Sequence, residues 1–329
     1  MELAALVIAP EERDFASFQS PPSLSVGGSR PFYSPLLPIL GNDVRRMWMD
    51  RVHRLGVQSF WLDSVAHDKR KPYSELCRLA RQGVERILMI KLKFYAEMDL
   101  ADLLRFHCQS QNSMTEVHDS HGRLGVSVLD RPVVLAAARR GESCPMRTVF
   151  EPVTYPFTGY AKRILSPRER QELVGDALAG ACALRPVGTE IRERVWLGDG
   201  VRLASSAKAL GPTYIGDRVI VLEGVTVGPF ASVERECMVD CGTTLERSTV
   251  LPGTYLAPGL LIRKALVDGG QMEDLCSGTV VDLEQCGLAW RVPGHEGTTM
   301  LSESATRASS SNHSWFASSS SSTRRNVHL

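Results

Sequence analysis

No apolar stretch in this sequence approaches the roughly 18 residues that a membrane-spanning helix needs. The first apolar run, Leu3–Ile8, is short and lacks both a preceding basic segment and a following cleavage site, so we expect a β-strand and not a signal peptide. An excess of one charge is also lacking. The formal net charge of +1 argues against a dedicated nucleic-acid surface or a binder of acidic membranes. We therefore expect a cytoplasmic protein that binds neither nucleic acid nor membrane.

Cysteine pairs at C-x-x-C spacing are absent, although the chain contains eight cysteines. In a reducing compartment such cysteines are expected to be buried free thiols. What is present is ordinary for a globular protein, with 43% hydrophobic and 23% charged residues in a chain of 329. That length leaves room for two modest domains and a sizeable core.

Residues 1–185 alternate between strand and helix patterns. The segments LAALVI, VQSFWLD and RILMI read as strands, and a helix over residues 43–56 has Asn42 or Asp43 placed to cap it. Asp99 stands at the N-cap position before LADLLRFH, and SMTEVHDSHGRLGVSVLDR reads as a hairpin closed by a polar turn. This alternation predicts an α/β domain with a mainly parallel, covered sheet.

The second region is a run of hexads. Eleven consecutive hexads extend from Leu197 to Ile262 in one phase, and the first position is Leu, Ile or Val in nine of them. Two inward positions in every six residues make one flat face of a β-helix, and three faces make a coil. The hexads therefore predict three to four coils, in preference to ordinary antiparallel strands, which need turns at looser spacing. The side chains expected to point inward include those of Ile215, Val221, Val227, Val233, Val239 and Leu245.

We expect the β-helix and its C-terminal cap to span residues 186–288. The remainder, residues 289–329, is expected to be disordered, because eleven serines fall within its last 28 residues and such a composition cannot bury a core.

Several strings of residues occur in an order that resembles the sugar-1-phosphate nucleotidyltransferases. This family, also called NDP-sugar pyrophosphorylases, includes mannose-1-phosphate guanylyltransferase. SPLLPILGNDV is similar to its K-P-L-L-P-[VI]-x-G motif, and ILMIKLKFYAEMDLADLLRFH to its I-L-V-x-x-G-D…D-L-x-x-L-L-x-F-H segment. FTGYAKRILSPRERQE resembles G-Y-W-x-D-I-G-T-P-E, and STVLPGTYLAPGLLIRKALVDGG resembles β-helix ends of the family. The resemblance implies a truncated Rossmann-like domain followed by a left-handed β-helix.

The residues that the family uses for catalysis are replaced in this chain. The two aspartates that hold Mg²⁺ in the family fall on Lys93 and Arg163, and the basic residue that contacts phosphate falls on Ser34. The glycine-rich triphosphate loop is replaced by APEERDFASFQSPPS, which contains no glycine. Metal stabilisation of a transferring phosphoryl group contributes several kcal/mol, and about 1.4 kcal/mol is a tenfold change in rate. The resemblance therefore implies a pseudoenzyme with no catalytic residue and no cofactor, in which Lys93 and Arg163 are candidates for binding phosphate.

Other functions stay open. An active enzyme that makes an NDP-sugar from a nucleoside triphosphate and a sugar-1-phosphate would need Mg²⁺, with Asp99 and Asp102 as substitute ligands, although an N-cap and an exposed helix position are simpler interpretations. His118 and His121 have the spacing of a metal pair, but two histidines in a polar turn are usually unremarkable. A structural assembly module built on the β-helix is a third hypothesis. Hexapeptide-repeat acyltransferases are disfavoured because no histidine lies between His121 and residue 295.

The expected partners follow from the leading interpretation. We expect a homo-oligomer or a hetero-oligomer with an active nucleotidyltransferase, and a nucleotide or sugar phosphate as the candidate ligand. The sequence predicts a binding or regulatory role in sugar-nucleotide or polysaccharide metabolism, with the pathway taken from the family resemblance alone.

Overall fold

The structure is a computed structural model that describes residues 3–8, 37–62, 71–140 and 151–292. These residues belong to one compact unit, residues 1–297. Ser34, the segment APEERDFASFQSPPS that replaces the family's phosphate loop, and most of the serine-rich tail lie outside the described residues. Among the helices that the structure describes, none is long and apolar enough to cross a membrane.

The N-terminal half is an α/β domain. Its strands are β1 (Leu3–Ile8), β2 (Gln58–Leu62), β3 (Arg86–Lys91), β4 (Phe94–Ala96), β5 (Met114–Asp119), β6 (Gly122–Asp130), β7 (Val153–Pro156) and β8 (Ala161–Arg163). Its helices are α1 (Val44–Arg54), α2 (Lys71–Arg81), α3 (Leu100–Gln109), α4 (Arg131–Arg139) and α5 (Pro167–Ala179). The predicted caps are confirmed at Asp43, which accepts from the Arg46 amide, and at Asp99, which accepts from the Ala101 and Asp102 amides.

The main sheet has the strand order β2-β1-β3-β6-β5-β7 and is mixed. Strand β1 pairs in parallel with β2 and β3, and β5 pairs in parallel with β7. The predicted hairpin is confirmed, and it places β6 antiparallel to both β3 and β5. The expectation of a mainly parallel sheet was therefore too simple, because the hairpin inserts an antiparallel strand into the middle of the sheet. A separate two-stranded sheet pairs β4 with β8.

The C-terminal half is a solenoid of short strands. In chain order these are β9 (Thr189–Arg192), β10 (Val195–Leu197), β11 (Arg202–Leu203), β12 (Lys208–Ala209), β13 (Thr213–Ile215), β14 (Ile220–Val221), β15 (Thr226–Val227), β16 (Ala231–Val233), β17 (Met238–Val239), β18 (Thr244–Glu246), β19 (Thr249–Val250), β20 (Thr254–Leu256), β21 (Leu261–Arg263), β22 (Ala265–Asp268), β23 (Gln271–Asp274), β24 (Val280–Asp282) and β25 (Ala289–Arg291). From β10 to β22 they stack in parallel in three sheets, the arrangement of a β-helix. The predicted inward side chains are all buried in one core.

The corners of the solenoid explain why six residues suffice for each face. Residues with left-handed backbone stack above one another at the turns: Gly200, Arg218, Glu236 and Gly253 at one corner, Gly224, Gly242 and Gly259 at the next, and Arg194, Phe230, Arg247 and Lys264 at the third. Glycine adopts this conformation without steric cost, and other residues adopt it at about 1–2 kcal/mol each. The aliphatic core must compensate for those corners that lack glycine.

The single phase of the hexads was wrong beyond Leu245. Ile215 pairs with Val233, but Val233 pairs with Val250, so that coil is one residue shorter. The third corner causes the change, since residues 228–230 separate β15 from β16 whereas two residues separate β18 from β19. Val250 therefore takes the inward place, and Leu251 packs outside the solenoid core against Leu266.

Two further features differ from expectation or extend it. Strand β25 pairs with β20 and lies just beyond residue 288, the predicted end of the cap. The described cysteines are free thiols, but only Cys77, Cys182 and Cys237 are buried. The remaining four that the structure describes are exposed, because they fall in α3, in solenoid corners and in the cap, where no second layer covers them.

Candidate functional site

The two cationic residues singled out by the sequence lie on neighbouring segments. Lys93 lies in the turn between β3 and β4, and Arg163 ends β8. Phe94 pairs with Arg163, and the Ile164 amide donates to the Lys93 carbonyl oxygen at 3.0 Å. Positions that are 70 residues apart in the sequence are thus brought together at the carboxyl end of β3.

Gly125 in β6 faces this turn. Its backbone is left-handed, with φ +92°, and a Cβ atom there would lie 3.4 Å from Lys93 Cε and 3.5 Å from Lys91 Cβ. The aliphatic parts of both lysine side chains therefore lie against β6 at Gly125, where β6 has no side chain. Lys91 and Lys93 make this sheet edge cationic.

Arg163 is held by the turn of the β5–β6 hairpin. Its guanidinium donates to both carboxylate oxygens of Asp119, at 2.9 and 3.0 Å, and to the carbonyl oxygens of Gly122 and Arg123, at 3.4 and 3.2 Å. A bidentate arginine–carboxylate pair fixes both groups in one plane. The guanidinium thus cross-links β8 to the hairpin.

The electrostatics of this pair follow from its surroundings. Burial acts to raise the pKa of Asp119, but the hydrogen bonds from Arg163 and from the His121 amide outweigh it and hold that pKa below its usual value. Asp119 is therefore an anion at neutral pH and neutralises Arg163. The Asp119 carboxylate is thus engaged by the Arg163 guanidinium.

The histidines of the hairpin do not form a metal site with their neighbours. His118 Nε2 lies 3.5 Å from Glu116, which also accepts from Arg123 at 2.8 Å. The His121 side chain is 79% exposed. Within the described parts of the chain, no cluster of three or more histidine, cysteine or acidic side chains is suited to a metal ion.

The substitute metal ligands of the active-enzyme hypothesis have other partners. Asp99 caps α3, and Asp102 accepts from the Tyr155 hydroxyl at 2.6 Å. Burial, followed by this hydrogen bond, raises the pKa of Tyr155 to about 12, so the tyrosine stays protonated and donates. Both carboxylates have structural roles at the start of α3.

A second cluster, which sequence reasoning missed, joins the α/β domain to the solenoid. The Glu234 side chain is fully buried and accepts from the amides of Leu40 and Gly41, at 2.8 and 3.1 Å. Arg170 in α5, also fully buried, lies 3.8 Å from it and donates to the Leu37 carbonyl oxygen at 3.1 Å. Burial raises the pKa of Glu234, while Arg170 and the two amides act to lower it. This cluster fixes the PILG segment against the solenoid.

Contacts on both sides extend that junction. Gln171 donates to the Phe230 carbonyl oxygen at 3.1 Å and accepts from the Thr249 hydroxyl at 2.6 Å. Gly41 has φ +78°, and a Cβ atom there would lie 2.5 Å from the Tyr214 hydroxyl oxygen. No other residue fits this position, because any side chain would collide with the buried tyrosine.

Comparison with known proteins does not assign the chain to a family. A scan against protein-family models finds no match. A search of curated proteins finds no relative. The assignment of a function therefore depends on the residues and their contacts.

Proposed function

We propose that this protein is a nucleotidyltransferase-like binding or regulatory subunit of sugar-nucleotide or polysaccharide metabolism, without catalytic activity. Its solenoid is, in this proposal, the left-handed β-helix of the family, and its assembly is with itself or with an active nucleotidyltransferase. The support is the resemblance of the sequence motifs together with the order of the two halves. The pathway rests on that resemblance.

The observation that carries the proposal is the engagement of Arg163 by Asp119 beside Lys93. Neither position that would hold a divalent cation in the family supplies a carboxylate here: one carries the ammonium group of Lys93, and at the other Arg163 engages Asp119, the neighbouring carboxylate, in a bidentate pair. The bidentate contact and two carbonyl oxygens hold the guanidinium in place. Phosphoryl transfer without the metal would lose several kcal/mol of transition-state stabilisation, which is a few factors of ten in rate, and the missing phosphate loop would add to that loss.

The same charges favour a phosphate-bearing ligand that is bound and not turned over. An ammonium group can bind phosphate as a point charge, so Lys93 is a candidate, with Lys91 beside it across Gly125. Arg163 contributes less than the sequence suggested, because Asp119 already neutralises it. A nucleotide or a sugar phosphate would therefore bind without magnesium.

An active enzyme is the weaker alternative, since Asp99 and Asp102 are engaged as a helix cap and a tyrosine acceptor. A structural assembly module is favoured by one observation, the open first coil of the solenoid described below.

Release of pyrophosphate from nucleoside triphosphates and sugar-1-phosphates tests the proposal. We expect no release above a control without protein, with or without Mg²⁺. Magnesium-dependent release would overturn it in favour of the active enzyme.

A further inference from the structure

The two ends of the solenoid carry every large apolar side chain that is markedly exposed among the described residues. Those at the first coil are Val187 (43% exposed), Ile191 (45%), Leu203 (37%) and Leu210 (45%). Those at the last coil and cap are Leu261 (62%), Val280 (39%), Val281 (40%) and Trp290 (36%). The flanks between the ends lack such residues, so an apolar partner would contact an end.

Among the described residues, nothing covers the core at β11 and β12 of the first coil. Leu203 pairs with Val221, and that inward column continues through Val239 and Leu256 to Ala289. Val221 and the three residues beyond it are at most 1% exposed, whereas Leu203 is 37% exposed. Leu203 is thus a core residue that packs on Val221 on one side, and no described residue packs on its other side.

The backbone of this coil is open as well. Strands β11 and β12 begin their sheets and pair only on one side in the described structure, while β9 covers the third sheet at β10. The Arg202 and Ala204 amides donate to the second coil, so the peptide groups of Leu203 point away from it. Unpaired strand edges of this kind are templates for another strand.

The opposite end is closed by the chain itself. The cap places Leu283 and Ala289, 7% and 0% exposed, in the same core as the inward columns. The last coil therefore has a cover that the first coil lacks among the described residues.

We propose that the first coil is the interface of a homodimer, in which a second copy of this chain stacks its own first coil onto it about a two-fold axis. A surface that continues the two open inward columns, at β11 and β12, is the open first coil of another copy, and a second chain supplies it. Residues 187–210 carry four basic and three acidic side chains, so two copies can pair opposite charges across the axis. Because the contact is isologous, it closes at two copies and does not propagate.

This inference rests on the assembly part of the proposed function. The mass of the protein and its binding of a phosphate ligand are measured separately, so that failure of one can be told from failure of the other. Light scattering after size-exclusion chromatography should give the full chain a mass of twice 36.2 kDa. Leu203→Glu should weaken the dimer at least about tenfold, because it places a charge in the apolar contact. Leu210→Glu is the second variant, since its exposed side chain is not needed for the monomer core. The matched control is Leu261→Glu at the capped end, which should remain dimeric.

A monomeric wild-type protein, or dimers that both first-coil variants leave intact, would overturn the inference. So would oligomers that grow with concentration and are abolished by Leu261→Glu, since they would indicate head-to-tail stacking. A dimer that binds no phosphate ligand supports this interface while it contradicts the proposed function, and a monomer that binds such a ligand does the reverse.

Discussion

The Arg170 guanidinium lies 3.8 Å from the Glu234 carboxylate, and both side chains are fully buried between α5 and the solenoid. Neither charge has water to stabilise it, so each depends on the other and on backbone groups of residues 37–41. The pair therefore holds the α/β domain and the solenoid in one arrangement.

Glu234→Ala should lower the free energy of unfolding by about 3–5 kcal/mol, because it leaves Arg170 and two amides buried without their acceptor. Urea unfolding followed by circular dichroism measures the change. The matched control is Glu236→Ala, two residues away, which removes a pair with the 61% exposed Arg218 and should destabilise the protein much less. Equal losses in the two variants would show that the buried pair has no special role.

Val227→Asp should destabilise the protein by several kcal/mol, since it buries an unpaired charge in the centre of the solenoid core, where Val227 is fully buried. Thr226→Asp is the control, because Thr226 points to the other face of the same strand. Its cost should stay within about 1 kcal/mol, the range of β-propensity effects. If both variants have the same melting temperature, the assignment of inward positions is wrong.

Glu273 should make stability depend on pH. Burial raises the pKa of its carboxyl group from its usual value of 4.5 to about 7. Between these values the unfolded chain ionises while the folded chain keeps its proton, so stability falls as pH rises through the interval and then levels off. Glu273→Gln should remove that loss and gain on the order of 1 kcal/mol at pH 8 relative to pH 4, after allowance for solvent screening. Parallel stability–pH profiles of the wild-type protein and Glu273→Gln between pH 4 and pH 8 would refute the assignment.

Lys93→Asp combined with Arg163→Asp should not create pyrophosphorylase activity, because the phosphate loop is still missing. The double variant should also melt at a lower temperature than wild type, since Asp119 loses its bidentate partner and meets a second carboxylate. Lys93→Asp alone keeps the Arg163 contact and serves as the control for stability. Magnesium-dependent pyrophosphate release by the double variant would show that only the two metal ligands had been lost.

The periodic parts of the fold could be predicted because each hexad must place an aliphatic side chain in the core at the same position. The successive inward positions from Ile215 to Leu245 are all aliphatic, and a shift of the pattern by one residue would turn all of these side chains outward. The shorter corner after Leu245 could not be foreseen, because Ser248 and Thr249 are both small and polar. Leu251 is aliphatic and stands six residues after Leu245, so it fitted the hexad pattern although it packs against Leu266 outside the core.

The candidate site was predicted only in part. The motifs placed Lys93 and Arg163 together, but Asp119 lay in what the sequence presented as a polar turn, 44 residues from its partner. Glu234 occupies an outward hexad position, which ordinarily faces solvent. Nothing near it in the sequence indicates that α5 covers that face, since the contact joins residues more than 190 positions apart. Long-range ion pairs of this kind leave no local pattern.

The most direct test of magnesium-independent ligand binding is a thermal-shift titration of the full chain with nucleotides, sugar phosphates and NDP-sugars, each with Mg²⁺ and with a chelator. A ligand at a hundred times its dissociation constant stabilises the folded state by about 2.7 kcal/mol, which is a clear shift in melting temperature. We predict that at least one phosphate-bearing ligand raises the melting temperature equally under both conditions, and that Lys93→Ala abolishes the rise. A rise that requires Mg²⁺, or no rise with any of these ligands, would contradict the proposed function.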